Sequence, residues 1–359
     1  MDERFDVARH DDLRGLLLAL IVAVALLTDA TGALASSLGH HNHKRHGHHT
    51  SGQTGGAAHR RSTGRRVHVP PAPAPTSSHY MSRPTGRTSF RLGCGFGARV
   101  RSGLHHPKML VILDYGMPMH HKGQYGTSAF GPFRSMGQVA YSVETYARGF
   151  VWCSGLKNPQ FHVRVGIGTS NYGRDVTFRH GQLWGMLVTQ VNAWLERHRM
   201  ANRVRAYGAD DIEPGWRGPR ATRRWIRGYA SRTKVPYYEY GGAAGCPPYH
   251  HCLGGWTMED LWYAAWGSGL SRPLPEIYAE TGVNARQWYQ LSLYGYRRHG
   301  HPMHFAGVLS QLGACRHRRG CAGIRNRPEE AFAQLYRALN ADPRTAQPLR
   351  WVTDITWRT

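Results

Sequence analysis

From Met109 onward, short β-forming runs alternate with amphipathic helical stretches, and this alternation limits the fold more than any other feature of the 359-residue chain. The β runs are Met109–Gly116, Phe161–Gly168, Val204–Glu213, Val235–Gly242, Leu261–Gly267, Pro273–Tyr278, Met303–Gln311 and Leu349–Trp357. Between them, Gly181–Arg199 carries Leu183, Leu187, Val191 and Leu195 at i, i+4 spacing, which makes one face of a helix. Ala221–Ser231, Ala285–Tyr296 and Pro328–Asn340 behave similarly, and the last opens on a proline where a missing N–H costs nothing. Eight strands with intervening helices in ~250 residues predict an α/β fold, a (β/α)8 TIM-like barrel. A doubly wound open sheet is the alternative with the same alternation.

Upstream of Met109 the character changes. Leu16–Leu27 is an apolar run, followed by Ala33-Leu34-Ala35 and then Ser36. A short apolar core before an A-x-A site predicts a cleaved signal peptide over 1–35, or a short anchor if it is not cut. The run is shorter than the ~18 residues of a spanning helix, and none longer occurs elsewhere. From Ala30 to Leu113 there is no carboxylate, while twelve Lys/Arg and eleven His fall between Ser36 and Lys108. With the polyproline stretch Pro70–Pro75, this reads as a disordered, basic, His/Arg/Pro-rich stalk over 36–108, leaving the barrel to 109–359. The His-rich stretch Gly39–His49 lacks the fixed spacing with Cys or acids that organises a coordination shell, so neither a metal nor a cofactor is expected.

All six cysteines lie beyond the leader, as suits an oxidising compartment. Cys246 and Cys252 bracket one short loop and Cys315 and Cys321 another, which leaves Cys94 with Cys153. Structural disulfides are the expectation, and the absence of C-x-x-C removes a thioredoxin-like or zinc-ribbon reading. Gly93-Cys94-Gly95-Phe96-Gly97 has no βαβ context for dinucleotide binding, and no H-E-x-x-H or G-x-S-x-G occurs.

Carboxylates are scarce beyond residue 109, sixteen against 31 Lys and Arg, so their placement carries information. Asp114 ends the first predicted strand. Asp210, Asp211 and Glu213 end the third, Glu239 lies late in the fourth, Glu276 in the sixth and Asp354 in the eighth. In a barrel the C-terminal strand ends form the active-site face. Asp211 and Glu213, two apart on a strand, point to the same side. Crowded carboxyls raise one another's pKa, which lets one donate a proton while a neighbour stays ionised, and glycoside hydrolysis uses such a pair. The candidate catalytic residues are Asp114, Asp211, Glu213 and Glu276. Asp210, Trp216, Glu239, Tyr240 and Trp266 are candidate substrate-binding residues, with Trp152 and Trp256 as further aromatic platforms.

The run Gly208-Ala209-Asp210-Asp211-Ile212-Glu213-Pro214-Gly215-Trp216 resembles the G-x-x-D-x-E-P-x-W segment of an uncharacterised family of secreted actinobacterial proteins. Tyr240–Pro247, Leu261–Gly267 and Leu274–Tyr278 extend that likeness. The chain is more distantly similar to the family 25 glycoside hydrolases, the muramidase-type lysozymes, and to glycoside-hydrolase-like domains. In that family an Asp ends the first strand and a D-x-E ends the fourth. The resemblance therefore implies Glu213 as general acid, with Asp211 and Asp114 beside it. By the strand count above, the D-x-E lies on the third strand here, and Glu276 stands where a Gln is expected.

These features together predict a secreted, extracellular or envelope-associated barrel that acts on a glycan such as cell-wall polysaccharide. The alternative is a non-catalytic envelope carbohydrate-binding protein built on the same barrel. The formal charge of +24 predicts weak, salt-sensitive contact with anionic envelope polymers. No nucleic-acid recognition fold is visible, so no specific nucleic-acid partner is expected, and contact with a membrane would come only through an uncleaved leader.

Overall fold

The computed structural model describes residues 67–103, 108–155, 160–246, 252–318 and 321–357. The leader and the first part of the stalk lie outside them. The compact unit begins at Val69. Eight strands form one parallel sheet: β1 (Thr76–Tyr80), β2 (Lys108–Asp114), β6 (His162–Ser170), β7 (Val204–Asp211), β8 (Tyr237–Glu239), β9 (Ser271–Pro273), β10 (Gly307–Ser310) and β11 (Trp351–Thr356). Their spatial order is β10-β11-β1-β2-β6-β7-β8-β9. The ring closes between its two ends through the chain after β9. Ala306 N–H donates to Pro273 O at 2.8 Å, Leu309 N–H to Pro275 O at 2.9 Å and Ile277 N–H to Leu309 O at 2.9 Å. The protein is an eight-stranded (β/α) barrel.

The strand count survives, but two of its members change. The barrel begins with Thr76–Tyr80, inside the segment assigned to the stalk, so its start moves from 109 to about the Val69 boundary. This strand escapes a hydrophobic reading because hydroxyls fill the narrow barrel interior at its level. Ser78 Oγ lies 2.7 Å from Thr353 Oγ1 and accepts from Ile112 N–H at 2.8 Å. Conversely, Leu261–Gly267 is not a strand. It is helix α5 (Met258–Trp262) running into a π-helical turn, Tyr263–Gly267. A capping box starts it: Thr257 Oγ1 accepts from Asp260 N–H at 3.1 Å and Asp260 Oδ2 from Thr257 N–H at 3.2 Å. Asp114 consequently ends the second strand of the barrel rather than the first, and Asp211 ends the fourth rather than the third.

Helices α1 (Gly86–Arg101), α2 (Met136–Cys153), α3 (Phe178–Arg197), α4 (Pro219–Ala230), α6 (Val283–His299), α7 (Leu312–Arg318) and α8 (Pro328–Asn340) complete the set described. The glycine run Gly93-Cys94-Gly95-Phe96-Gly97 lies inside α1 and is a packing surface. A Cβ on Gly93 would fall 2.0 Å from Tyr146 O, and one on Gly149 of α2 would fall 2.2 Å from Phe90 O. The Cys94–Cys153 disulfide ties the same two helices, and Cys246–Cys252 and Cys315–Cys321 close the two short loops, the pairing expected.

Side chains alternate across the sheet. Val111, Leu113, Val163, Val165, Ile167 and Val308 pack outward against the helices. Leu110, Ile112, Tyr207, Ala209, Tyr238, Tyr240 and Ile355 fill the interior. Between β2 and α2 a small antiparallel sheet is inserted: β3 (Met117–His121), β4 (Gln124–Ser128) and β5 (Arg134–Ser135). Lys122 and Gly123, both at positive φ, make its two-residue turn. Buried His180 of α3 anchors this insertion. Its Nε2 lies 3.0 Å from Gly126 O, and its Nδ1 accepts from Trp225 Nε1–H at 3.0 Å. Those partners assign Nε2 as the donor of a neutral ring, and burial pushes its pKa from 6.5 down to about 4.

His180→Phe should cost about 1–3 kcal/mol near neutral pH, because Gly126 O and Trp225 Nε1–H lose their buried partner. A folded pKa below the unfolded one means that the wild type loses stability as pH falls from 6.5 towards 4. The gap between variant and wild type should therefore narrow over that window in urea melts. A gap independent of pH would contradict the neutral, anchoring ring.

Candidate functional site

Because every barrel strand runs the same way, all C-terminal ends lie on one rim. Inward-facing positions at that rim carry the acids. Asp114 is the last residue of β2 and Asp211 the last of β7, in phase with interior Leu110 and Ile112 and with Tyr207 and Ala209. Glu213 follows β7 by two residues. Glu276 sits in the closing segment, in a parallel bridge with Leu309. The Asp211 carboxyl feels Glu276, Glu213 and Asp114, and the Glu276 carboxyl feels Glu213 and Asp114. All four residues proposed from sequence as catalytic thus converge.

Burial dominates their electrostatics. Asp114 Oδ1 accepts from Gly116 N–H at 2.6 Å, and the Tyr240 hydroxyl lies between its carboxyl and Thr169 O, to which it donates at 3.1 Å. Desolvation outweighs these bonds and pushes Asp114 up to about 7. Asp211 is held well above the usual carboxylate range by burial and then by its acidic neighbours, and its Oδ1 has no hydrogen-bond partner. Burial and Glu213 also raise Glu276, although Gln311 Nε2–H donates to its Oε1. Burial is the first cause for all three, and repulsion between acids adds to it for Asp211 and Glu276, so the neutral form is favoured at the rim.

Glu213 is the half-buried member of the set. Buried Asn171, just after β6, fixes its backbone: Asn171 Oδ1 accepts from Glu213 N–H at 2.9 Å and Nδ2–H donates to Glu213 O at 3.1 Å. The carboxyl lies over the backbone of Gly242, where a Cβ would come within 2.7 Å of Oε1. Asn171 went unnoticed in the sequence; its only signal is a polar residue directly after a buried strand.

Asp210 and Glu239 do not join the inward group. They are register partners on adjacent strands, in the outward phase shared by Ala206 and Tyr237, and are 1% and 0% exposed. Each is raised well above its usual value, first by burial, and Asp210 Oδ1 and Glu239 Oε2 have no hydrogen-bond partner. They lie behind the rim, on the side of the sheet that faces the helices. Tyr240 is in the inner cluster. Trp216 stands in the loop after β7, edge-on to Tyr172 at 5.6 Å. Trp266 belongs to the turn that precedes β9, at the opposite barrel end from the acids, with Arg272 over its ring at 5.5 Å. Trp152 ends α2 at that same far end, and Trp256 is buried in the core, donating to Arg217 O at 2.9 Å.

The aromatics that border the acids are different ones. Tyr80, at the end of β1, stacks on Trp357 with centroids 4.2 Å apart and planes at 22°. Phe130, in the inserted sheet, meets Trp357 edge-on at 4.9 Å. Phe130 is 51% exposed and has φ of 59°, a strained conformation for a bulky residue and one that collects at functional sites. Tyr80 is close enough to act on the Tyr240 hydroxyl, so this aromatic wall continues the acidic cluster. Among the described residues, no three His, Cys, Asp or Glu side chains are placed to hold a metal ion together.

No protein-family model matches the chain, and no curated protein matches it. Solved structures that are similar include dihydrodipicolinate synthase from Agrobacterium tumefaciens (11% identity, TM-score 0.35), with 66% of this chain and 63% of that one covered. An endo-1,4-beta-D-mannanase from Thermotoga petrophila matches at 8% identity and TM-score 0.43, over 80% and 88% of the two chains. A class V chitinase from Pseudomonas fluorescens matches at 12% identity and TM-score 0.32, over 67% and 68%. The chain spans just under two thirds of the synthase.

The raised pKa of Asp114 has a consequence for stability. Its folded value of about 7 exceeds the ordinary 3.8, so the folded protein holds this proton more tightly. The associated stability is complete below about pH 4 and is lost as pH rises through about 7. Asp114→Asn, which has no charge to bury, should gain on the wild type across that window and sit several degrees higher in Tm at alkaline pH. Equal pH profiles for the two proteins would show that Asp114 is not buried as described.

Proposed function

We propose that the barrel acts on a glycan by carboxylate acid–base catalysis, in the manner of a glycoside hydrolase, with an envelope polysaccharide as the substrate class. The observation that carries this reading is the convergence of Asp114, Asp211, Glu213 and Glu276 on one rim, in an environment that leaves some of them protonated. Hydrolysis of a glycosidic bond needs a proton donor for the leaving oxygen and a carboxylate for the water or the sugar. Glu213 is the donor: it is the accessible member, clamped through Asn171, with protonated neighbours beneath it to resupply the proton. Asp211, held in its neutral form, positions the substrate as a hydrogen-bond donor. Asp114, whose pKa of about 7 lets it change state near neutral pH, orients the attacking water. Glu276, held in its neutral form by burial and Glu213, positions the substrate from across the mouth. Tyr80, Trp357 and Phe130 offer the flat apolar surface that a pyranose ring packs against.

Three disulfides suit an oxidising, extracellular setting, and no described helix is long and apolar enough to cross a membrane. Secretion through the 1–35 leader and retention at the envelope by the basic segment are part of the same proposal.

Reducing-end release from peptidoglycan and from soluble polysaccharides tests it. Glu213→Gln should lower kcat on the active substrate by about 100-fold or more with the fold intact, as expected for loss of a general acid. Trp357→Ala should act mainly on KM. An inactive wild type that still sediments with cell walls would replace the enzyme with a carbohydrate-binding barrel.

A further inference from the structure

A helix follows each of the first seven barrel strands, but none follows β11 among the described residues. The outward faces of β11 and β1 are therefore framed by α1 on one side and α7 on the other, with a cleft of about 650 Å³ between them. Its floor is polar: the outward positions of these two strands that line it are Ser77, His79, Asp354 and Thr356, the last two lying against Gly313 of α7.

The walls are cationic. Arg91, Gly95 and Arg99 fall at i, i+4 and i+8 and so share one face of α1, while Arg316 and His317 come from α7. The lone carboxylate of the cleft is already committed: Asp354 Oδ1 accepts from Ser310 Oγ at 2.6 Å and Oδ2 from Gly313 N–H at 2.9 Å. None of the ion pairs among the described residues involves Arg91, Arg99 or Arg316, although Arg99 lies over the Phe96 ring at 5.7 Å and Arg316 is near enough to Asp354 to lower its carboxyl pKa. Gly95 keeps the space between the arginines open, since a Cβ there would meet only Arg99 Nη1, at 3.9 Å.

We propose that this cleft, on the outside of the barrel and separate from the acidic rim, binds an anion carrying two or more phosphate groups. Guanidinium forks match phosphate oxygens two at a time, and three forks around one cleft suit several linked phosphates better than one carboxylate. The ligand is either a free oligophosphate or a phosphodiester-linked polymer. The proposal does not depend on the glycan reading, because no residue of the rim takes part.

Calorimetry on the full chain with pyrophosphate, a short glycerol-phosphate oligomer and oligogalacturonate tests it. The expected result is binding of at least one phosphate probe, about ten-fold weaker in each of Arg91→Ala, Arg99→Ala and Arg316→Ala. Arg316→Lys should lose less, and Arg227→Ala and Arg337→Ala, on exposed faces of α4 and α8, should lose nothing. Glu213→Gln should bind like the wild type. Preference for pyrophosphate would identify the free source, and preference for the oligomer the polymeric one. Failure of both phosphate probes, equal loss in the two control variants, or equal affinity for oligogalacturonate would overturn the site.

Discussion

Closure of the barrel is the constraint on which everything else depends. A parallel sheet with open edges would scatter its strand ends along a line, whereas the bonds that Ala306 and Leu309 donate to the Pro273 and Pro275 carbonyls, and that Ile277 donates to Leu309 O, bend that line into a ring. In a ring, inward-facing residues at the C-terminal ends have nowhere to go except towards one another. Asp114, Asp211 and Tyr240 meet for that reason, although β2, β7 and β8 are far apart in sequence. The closing segment itself supplies Glu276, so the element that seals the barrel also completes its acidic cluster.

The same geometry sets the chemistry. A carboxyl at the top of a packed barrel has aromatic and aliphatic groups below it and other carboxyls beside it, and both favour the neutral form. Hydrogen bonds from Gly116 to Asp114 and from Gln311 to Glu276 pull the other way without prevailing. The protein accepts this cost at its rim, and the outward pair Asp210 and Glu239 is raised in the same way, first by burial and then by Asp114 for Asp210 and by Glu213 for Glu239. The charge excess is distributed quite differently. The unit from Val69 onward holds 37 Lys and Arg against 16 Asp and Glu, so half of the basic residues assigned to the stalk belong to the barrel. Arg91, Arg99 and Lys108 are among them.

What was legible in the sequence follows from which signals are local. The aliphatic runs of β2, β6 and β7 are local, and they located those strands, with Asp114 and Asp211 at the ends of β2 and β7 and Glu213 two residues beyond β7 rather than on it. Strand β1 was not, because Thr76 and Ser78 are satisfied by partners 34 and some 275 residues away. Leu261–Gly267 was misread because its aromatic content favours a strand, while the stronger signal was the Thr257–Asp260 box just before it. The aromatic wall of Tyr80, Phe130 and Trp357 exists only after β1 and β11 pair and the inserted sheet folds over them. Trp266 and Trp152 pointed elsewhere because distance along a strand does not reveal which barrel end a residue reaches.

The central claim is that the rim acids are buried together and titrate far above exposed carboxylates. Carbon-13 NMR of carboxyl-labelled Asp and Glu, titrated with pH and assigned through the Asp114→Asn, Asp211→Asn and Glu276→Gln variants, tests it directly. The expected result is that Asp114 titrates near 7 and that Asp211 and Glu276 are held well above the usual carboxylate range. Ionisation of all three by about pH 5, in the range of exposed carboxylates, would contradict it.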